Sequence, residues 1–535
     1  MYIHRIIKKG KKKTYKTVLL QKSYRDKKKG PRQVTIANLS DWPDDIVDNF
    51  EKVLNGGKVI ENADLLKIMT FSQGKAYGGL KTISDLADRL GISAAIKDKR
   101  QIYLIKIIIA GFLFGNKYSK NYIANEWSKL QAIKEILGES AYWNEDDLYE
   151  TLGWLNDNQR RIEKKLFLNK YNKNIDSKIM FLYDVTGSYV EGDQMAMADF
   201  GYQRDGKAGK EQIVIGMLSD NEGEPLCIEV FKGNTLDYKT VESQLQKIKN
   251  EYGVKKIIFV GDRGMVKSSQ IEMITGDNWE YITAITKPQI EKLIKDDIIQ
   301  YSLFDEELCE VKDGDIRYIL KKNPFRYEEI KINLNAKIKR LSEFIKKQNQ
   351  YLSDHKKATT EAAEKKISNY IKSRNLHSFI DLKLEKRIFS FSNDENKLKE
   401  HLKLAGCYVI KTNVSETELD KKQVHDSYKN LAKIEHAFRV IKTSVLNIRP
   451  IFVRTDSHIR GHVFCCMLAL KIALYFEKKL NNTDFTLQYC IDSINSIQTC
   501  VYSFNGETFV KLADKFSDDN EKILKALELK WEKAL

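Results

Sequence analysis

Two short apolar runs, Ile179-Met180-Phe181-Leu182-Tyr183 and Ile257-Ile258-Phe259-Val260-Gly261, constrain this chain more than any other feature. Neither alternates apolar with polar residues. Each therefore suits a strand buried on both faces, at the centre of a sheet covered by helices. Each run stops at an aspartate, Asp184 and Asp262. In a largely parallel sheet, ligands bind beyond the carboxyl ends of the central strands. Further strand runs at 213–218, 226–231 and 281–285, with a helix over 239–252, predict a mixed α/β sheet across 178–285.

A third carboxylate lies on a helix expected over 425–446. At ~100° per residue, positions seven apart differ by about 20°. Tyr428, Glu435 and Lys442 then share one stripe, and Leu431, Ile434, Phe438, Ile441 and Val445 form an apolar one. The stripes stand roughly 80° apart on that scale, so Glu435 is expected on the half-buried shoulder of the packing face. Two carboxylates ~4 Å apart repel by about 4 kcal/mol at an effective dielectric near 20. Either one acid protonates or divalent cations neutralise the group. Ligands that are carboxylates alone suit Mg²⁺, or Mn²⁺ in its place, better than zinc. Arg263, Arg439 and Lys442 are placed to hold phosphates, and Tyr428 to stack on a base or bond a phosphate. Each acid has a plainer explanation when taken singly. An aspartate often caps a strand, and Glu435 with Arg439 makes an ordinary i,i+4 pair. The inference rests on their order and setting together.

Charge points to the substrate. The 535 residues carry a formal +16, and residues 1–32 hold thirteen Lys or Arg against the single acid Asp26, a net +12. Such an arm is an electrostatic footprint for nucleic acid, with DNA the expected polyanion. Tyr2, Tyr15 and Tyr24 are interleaved with its cations. The apolar segments 103–115 and 463–476 are too short to span a membrane and contain Lys106 and Lys471. No apolar core follows the first lysines, so a secretory signal is not expected. Seven scattered cysteines without a Cys-x-x-Cys pair fit reduced thiols in a cytoplasm.

Six segments are expected. Residues 1–57 form a small basic antiparallel sheet, and 58–175 a helical DNA-binding domain. Within the latter, 82–93 has the alanine, turn glycine and small residue of a helix-turn-helix. Residues 176–300 and 401–477 form the two halves of the α/β core, 301–400 an insertion of charged helices, and 478–535 a C-terminal helical segment. His458 and His462 have the i,i+4 spacing of zinc ligands, but no third ligand follows at suitable spacing.

The strings YDVTGSYVEG, FKGNTLDYKT, FVGDRGM and YKNLAKIEHAFRVIK, followed by RPIFVRTDSHIRGH, resemble insertion-sequence transposases of the DDE type. More narrowly they resemble the class with a Tyr-x2-Arg-x3-Glu-x6-Lys signature, over about 176–475. That resemblance implies an RNase H-like, retroviral-integrase-like core with an insertion between the second aspartate and the glutamate. It implies Asp184, Asp262 and Glu435 as a catalytic, metal-binding triad, and Tyr428 and Lys442 as DNA contacts. It further implies a DNA transposase of a bacterial insertion sequence. Such an enzyme binds terminal inverted repeats, cleaves strands and joins them to target DNA, with a dimer synapsing two ends. The signature arginine is replaced by Leu431, with Arg439 or Lys433 available to supply the charge. Two alternatives stand beside this reading: a catalytically inactive or domesticated DNA-binding relative, and a haloacid-dehalogenase-like phosphotransferase suggested by Asp184-Val-Thr-Gly-Ser.

Overall fold

The computed structural model describes the chain except at residues 10–13, 28, 58–69, 75, 116–118, 139–141, 172–176, 193, 203–208, 443–444, 447, 450, 452, 505–506, 513–515 and 532–535. Two compact units result. One comprises Met1–Gly74, Gln498–Lys515 and Glu532–Leu535, and the other Lys75–Ile497 and Phe516–Trp531.

In the first unit, strands β1 (Tyr2–Lys9), β2 (Thr14–Asp26) and β3 (Gly30–Asn38) form an antiparallel sheet in that order. Ile3, Val18 and Leu20 point to one face, where Val47 of helix α1 (Asp44–Leu54) and Leu39 close a small core. A second sheet joins β4 (Thr70–Gly74) to a hairpin of β15 (Thr499–Phe504) and β16 (Glu507–Leu512). The helical expectation for 478–535 is corrected here. Its middle is a hairpin, and its only β signal is an Asn-Gly dipeptide between β-branched and aromatic residues.

The second unit is built on an eight-stranded mixed sheet in the order β10-β11-β14-β9-β8-β5-β6-β7. The strands are β5 (Ile179–Tyr189), β6 (Gln212–Asp220), β7 (Pro225–Phe231), β8 (Ile257–Gly261) and β9 (Glu280–Ala284), with β10 (Cys309–Asp313), β11 (Ile316–Lys322) and β14 (Cys407–Thr412) beyond β9. β8 runs parallel to both β5 and β9, and the other neighbours are antiparallel. Both faces of β5 and β8 are covered, which explains their unbroken apolar character. On one face Phe181, Tyr183 and Phe259 pack with Val241 and Leu245 of helix α5 (Asp237–Lys247) and with Phe167 of helix α4 (Glu145–Tyr171). The segment between β11 and β14 holds helices α6 (Pro324–Asp354) and α7 (Thr360–Ser373) and the hairpin β12 (Ile380–Glu385) and β13 (Ile388–Asn393). It has a core of its own, centred on Leu341, Ile367 and Phe379.

The helix-turn-helix expectation for 82–93 does not survive. Helix α2 (Tyr77–Arg89) ends at Gly91, in the left-handed region at φ +75°, but only five residues, Ile92–Ile96, form the next helix. Ile92, Ala95 and Ile96 are buried, so this single turn of helix leaves only Ala94 and part of Ser93 open, too little to read a groove. Helix α3 (Lys99–Phe114) follows, capped by the Asp98 side chain on the Gln101 amide.

Helix α10 (Asp456–Leu480) is longer than the apolar stretch suggested. By length and composition alone it is able to cross a membrane. Most of it is buried inside the fold, against α4, α3 and β7. Its Lys471 is among the buried cations and is paired with Glu224 in the β6–β7 turn, which Lys170 of α4 also holds. Burial works against the Glu224 carboxylate, but Lys471 and Lys170 outweigh it and hold its pKa down at about 2. A depressed carboxylate stabilises the fold above its unfolded pKa, and that contribution disappears as pH falls towards the folded value. Urea unfolding followed from pH 6 to pH 2.5 should therefore show wild-type stability falling below about pH 4.5. Glu224→Gln should be less stable at pH 6 and lose less over the same window.

Candidate active site

Alternation along β5 decides where Asp184 points. Phe181 and Tyr183 face the α5 side, so Asp184 faces the other. The parallel register pairs Phe181 with Phe259 and Tyr183 with Gly261. The next positions, Asp184 and Asp262, therefore lie side by side on that second face. Asp184 is not at a strand end as its apolar run suggested. β5 continues to Tyr189 because its antiparallel partner β6 continues beside it. What ends at this level is β8, and its loss as a neighbour opens β5 on the side where Asp262 emerges. A tight turn fixes Asp262: its carbonyl accepts the amides of Met265 (2.9 Å) and Val266 (3.1 Å). Gly261 is required there, since a Cβ would stand 2.8 Å from a Val266 methyl.

The helix expected over 425–446 is two helices. α8 (Lys421–Lys429) begins with a capping box, in which Asp420 accepts the Gln423 amide (2.8 Å) and Gln423 accepts the Asp420 amide (2.9 Å). α9 (Leu431–Lys442) follows after Asn430. Tyr428 thus sits on a different helix from Glu435 and Lys442, and a single seven-residue stripe does not relate all three. α9 packs on β5 and buries Leu431, Ile434, Phe438 and Ile441, the apolar stripe read from the sequence. Leu431, at the signature arginine position, is part of that packing.

Polar contacts at the β6–β7 turn anchor the start of α9. The Asn430 amide donates to the Asn221 side chain (2.7 Å), and Lys433 Nζ donates to the Asn221 carbonyl (2.9 Å). Beyond α9, Ile451 bridges Val190 just past β5. The helix carrying Glu435 therefore runs along β5 from its start towards its end, on the face that Asp184 presents. Glu435 is exposed, not half-buried as expected.

The acids already have partners. Asp184 accepts the Val185 amide at 2.8 Å. Asp262 accepts the Tyr428 hydroxyl at 2.9 Å. Burial, then the Asp262 charge, push the Tyr428 hydroxyl up, while Arg263 pulls the other way, so the phenol remains protonated and donates. Among the described residues, no three carboxylate, imidazole or thiol groups converge closely enough to hold an ion. The structure thus joins Tyr428 to Asp262, places Asp184 at the neighbouring position of β5, and sets the Glu435 helix over β5 with the glutamate carboxylate not gathered in. Arg263 and Arg439 are exposed and Lys442 is half-buried. Sequence reasoning missed the Tyr428–Asp262 bond and the Asn221 anchor. The first joins residues 166 apart, and no local pattern signals it.

His462 and His436 are held in structural contacts. His462 is buried against the edge of Phe112, and burial lowers its pKa to about 3. His436 bonds Glu477 at 2.8 Å.

The transposase DDE domain matches residues 176–472. The N-terminal domain of the IS1634 family transposases matches residues 3–63. No curated protein matches the chain. Among solved structures, the cryo-electron-microscopy structure of the piggyBac transposase synaptic complex with hairpin DNA is similar at 9% identity and a TM-score of 0.34, over 74% of this chain and 70% of that one.

Proposed function

The chain belongs to the transposase DDE domain family and is an insertion-sequence transposase, and from that premise we propose that Asp184, Asp262 and Glu435 form its phosphoryl-transfer centre. One observation supports the assignment: the β5–β8 register ends at the Tyr183–Gly261 pair, so the two aspartates are the next residues on adjacent parallel strands, beside the strand on which the Glu435 helix packs. An RNase H-like core is part of the proposal. Its support is an antiparallel trio of successive strands, β5 to β7, extended by the parallel strands β8 and β9, with a helical subdomain between the second aspartate and the glutamate.

The donor set is oxygen alone, which fits Mg²⁺, with Mn²⁺ as substitute, rather than zinc. Bound divalent ions supply activation of the attacking oxygen and stabilisation of the leaving one. The protein's own residues do the rest. β5 and the Asp262 turn fix the two aspartates, and Glu435 swings in from α9. Arg263, Arg439 and Lys442 hold backbone phosphates beside the acids. Lys433 chiefly anchors α9 to the β6–β7 turn. Tyr428 orients Asp262 and offers its ring to DNA. The DNA is the element's inverted-repeat ends and then the target, synapsed by a dimer. The unpaired state of all seven cysteines supports a cytoplasmic setting.

The direct test uses purified full-length protein with duplexes carrying the element's ends. The expected result is Mg²⁺-dependent cleavage that leaves a 3′-hydroxyl at the end and then joins it to target DNA. Binding without cleavage would favour an inactive relative, and cleavage indifferent to chelation would sink the proposed centre. Tyr428→Phe refines the picture, because it keeps the ring and loses only the bond to Asp262. A hydrogen bond to a charged group contributes about 1.5–3 kcal/mol. Cleavage should fall about 10- to 100-fold with duplex binding retained. Wild-type cleavage in this variant would remove Tyr428 from Asp262 positioning.

A further inference from the structure

The two faces of the N-terminal sheet differ in charge. On the α1 side, Arg5 pairs with Asp48 and Glu51, and Lys16 pairs with Asp44. Register and alternation assign the opposite face: Tyr2, His4, Ile6 and Lys8 from β1, Tyr15, Thr17, Leu19, Gln21, Ser23 and Arg25 from β2, and Gln33 and Thr35 from β3. Among the described strand residues of that face there is no carboxylate. Lys8, Tyr15, Ser23, Arg25, Gln33 and Thr35 are exposed. Tyr2, His4 and Thr35 converge on the Gln21 side chain, at 3.2, 2.9 and 3.3 Å, which ties the three strands together on this side. The β2–β3 hairpin extends the same face past the α1 core and adds Lys27 and Lys29 near its tip.

From this asymmetry we infer that the acid-free face of the β1-β2-β3 sheet is the surface on which this transposase seats duplex DNA, a reading that rests on the DNA partner proposed above. The major groove admits a β-ribbon. Lys8 and Arg25 neutralise phosphates. Ser23 and Gln33 supply the neutral hydrogen-bonding groups that read base edges. The α1 face is unsuitable, because its carboxylates neutralise the cations beside them and would repel phosphate.

The test compares two charge-reversed pairs in the full chain. Lys8→Glu with Arg25→Glu alters the proposed face. Lys22→Glu with Arg32→Glu makes the same change in net charge on the opposite side of the same hairpin. Binding to a duplex carrying the element's end is followed by fluorescence anisotropy from 50 to 200 mM salt. The first pair should weaken binding at least about tenfold and flatten the log–log salt slope by about 2, the equivalent of two phosphate contacts. The second pair should stay within about threefold of wild type, a bound set by the small long-range effect of screened charge. Equal weakening by both pairs, or none by the first, would overturn the face assignment while leaving DNA binding intact. A wild-type chain that binds no duplex at 50 mM salt would overturn the DNA reading itself, and this surface with it.

Discussion

Alanine at Asp184, Asp262 or Glu435 is expected to lower divalent-cation-dependent strand cleavage by at least about 10³-fold, the kinetic equivalent of roughly 4 kcal/mol of lost charge stabilisation. Binding of the element's ends and the melting temperature should change little. Asp184 is half-buried, Asp262 and Glu435 are exposed, and none of the three lies in the apolar core. Asp184 is held by the pairing of β5 with β6 and Asp262 by the backbone bonds of the turn after β8, so a substitution at either removes a carboxylate without moving the strand. Glu435 differs, because it must reach in from a helix that packs over β5. Its length therefore matters, and Glu435→Asp should lose most of the activity although the charge remains. Glu435→Gln keeps the length and loses the charge, and should also fail. Full cleavage in all three alanine variants would show that the chemistry lies elsewhere. Loss in the aspartate variants alone would leave Glu435 outside the centre.

Central strands were legible because burial on both faces writes an unbroken apolar run into the chain, as in 179–183 and 257–261. The alternation that aims Asp184 away from the Tyr183 side follows from the same runs, once one face is known. Register is another matter, because it depends on which residues meet across strands some eighty positions apart. The pairing of Tyr183 with Gly261 appears only in the fold. Long-range pairing also hid β4, whose partner β15 lies more than four hundred residues away. Helical periodicity found the packing stripe of α9 but not the break at Asn430. Val424, Tyr428 and Leu431 keep the four- and three-residue helical spacing across that break, so the pattern carries no mark of it. The exposure of Glu435 follows from the same gap: a helix wheel gives an angle, and the neighbours that settle burial come from tertiary packing. Asn505-Gly506 is the kind of dipeptide that turns a hairpin, and the reading of 478–535 as helical rests instead on the amphipathic pattern near the chain's end.

Glu163→Leu is expected to destabilise the catalytic unit by about 3–5 kcal/mol, the cost of leaving a buried charge without its partner. Glu163 is fully buried on α4 and pairs with Lys247 of α5, itself buried, at 2.5 Å. Its role is not confined to that pair. β7 is the outer strand of the sheet, and its free backbone groups are met by side chains instead of another strand. Glu163 accepts the Ile228 amide (3.1 Å), Gln159 donates to the Ile228 carbonyl (2.6 Å), and Arg460 donates to the Val230 carbonyl (2.8 Å). This capping closes an edge that would otherwise invite pairing with a second chain. The two contributions separate in the double variant Glu163→Leu with Lys247→Met, which removes both charges and leaves the Ile228 amide unsatisfied. An unmet buried donor costs about 1–3 kcal/mol, so the double variant should recover a large part of the loss and still fall short of wild type. Urea unfolding of the three proteins measures it. A single variant as stable as wild type would show that the pair contributes nothing. A double variant fully restored would show that the Ile228 amide finds another acceptor and that the capping of β7 is dispensable. The expected intermediate value instead ties the edge of the sheet, and through β6 the strand that carries Asp184, to one buried carboxylate on α4.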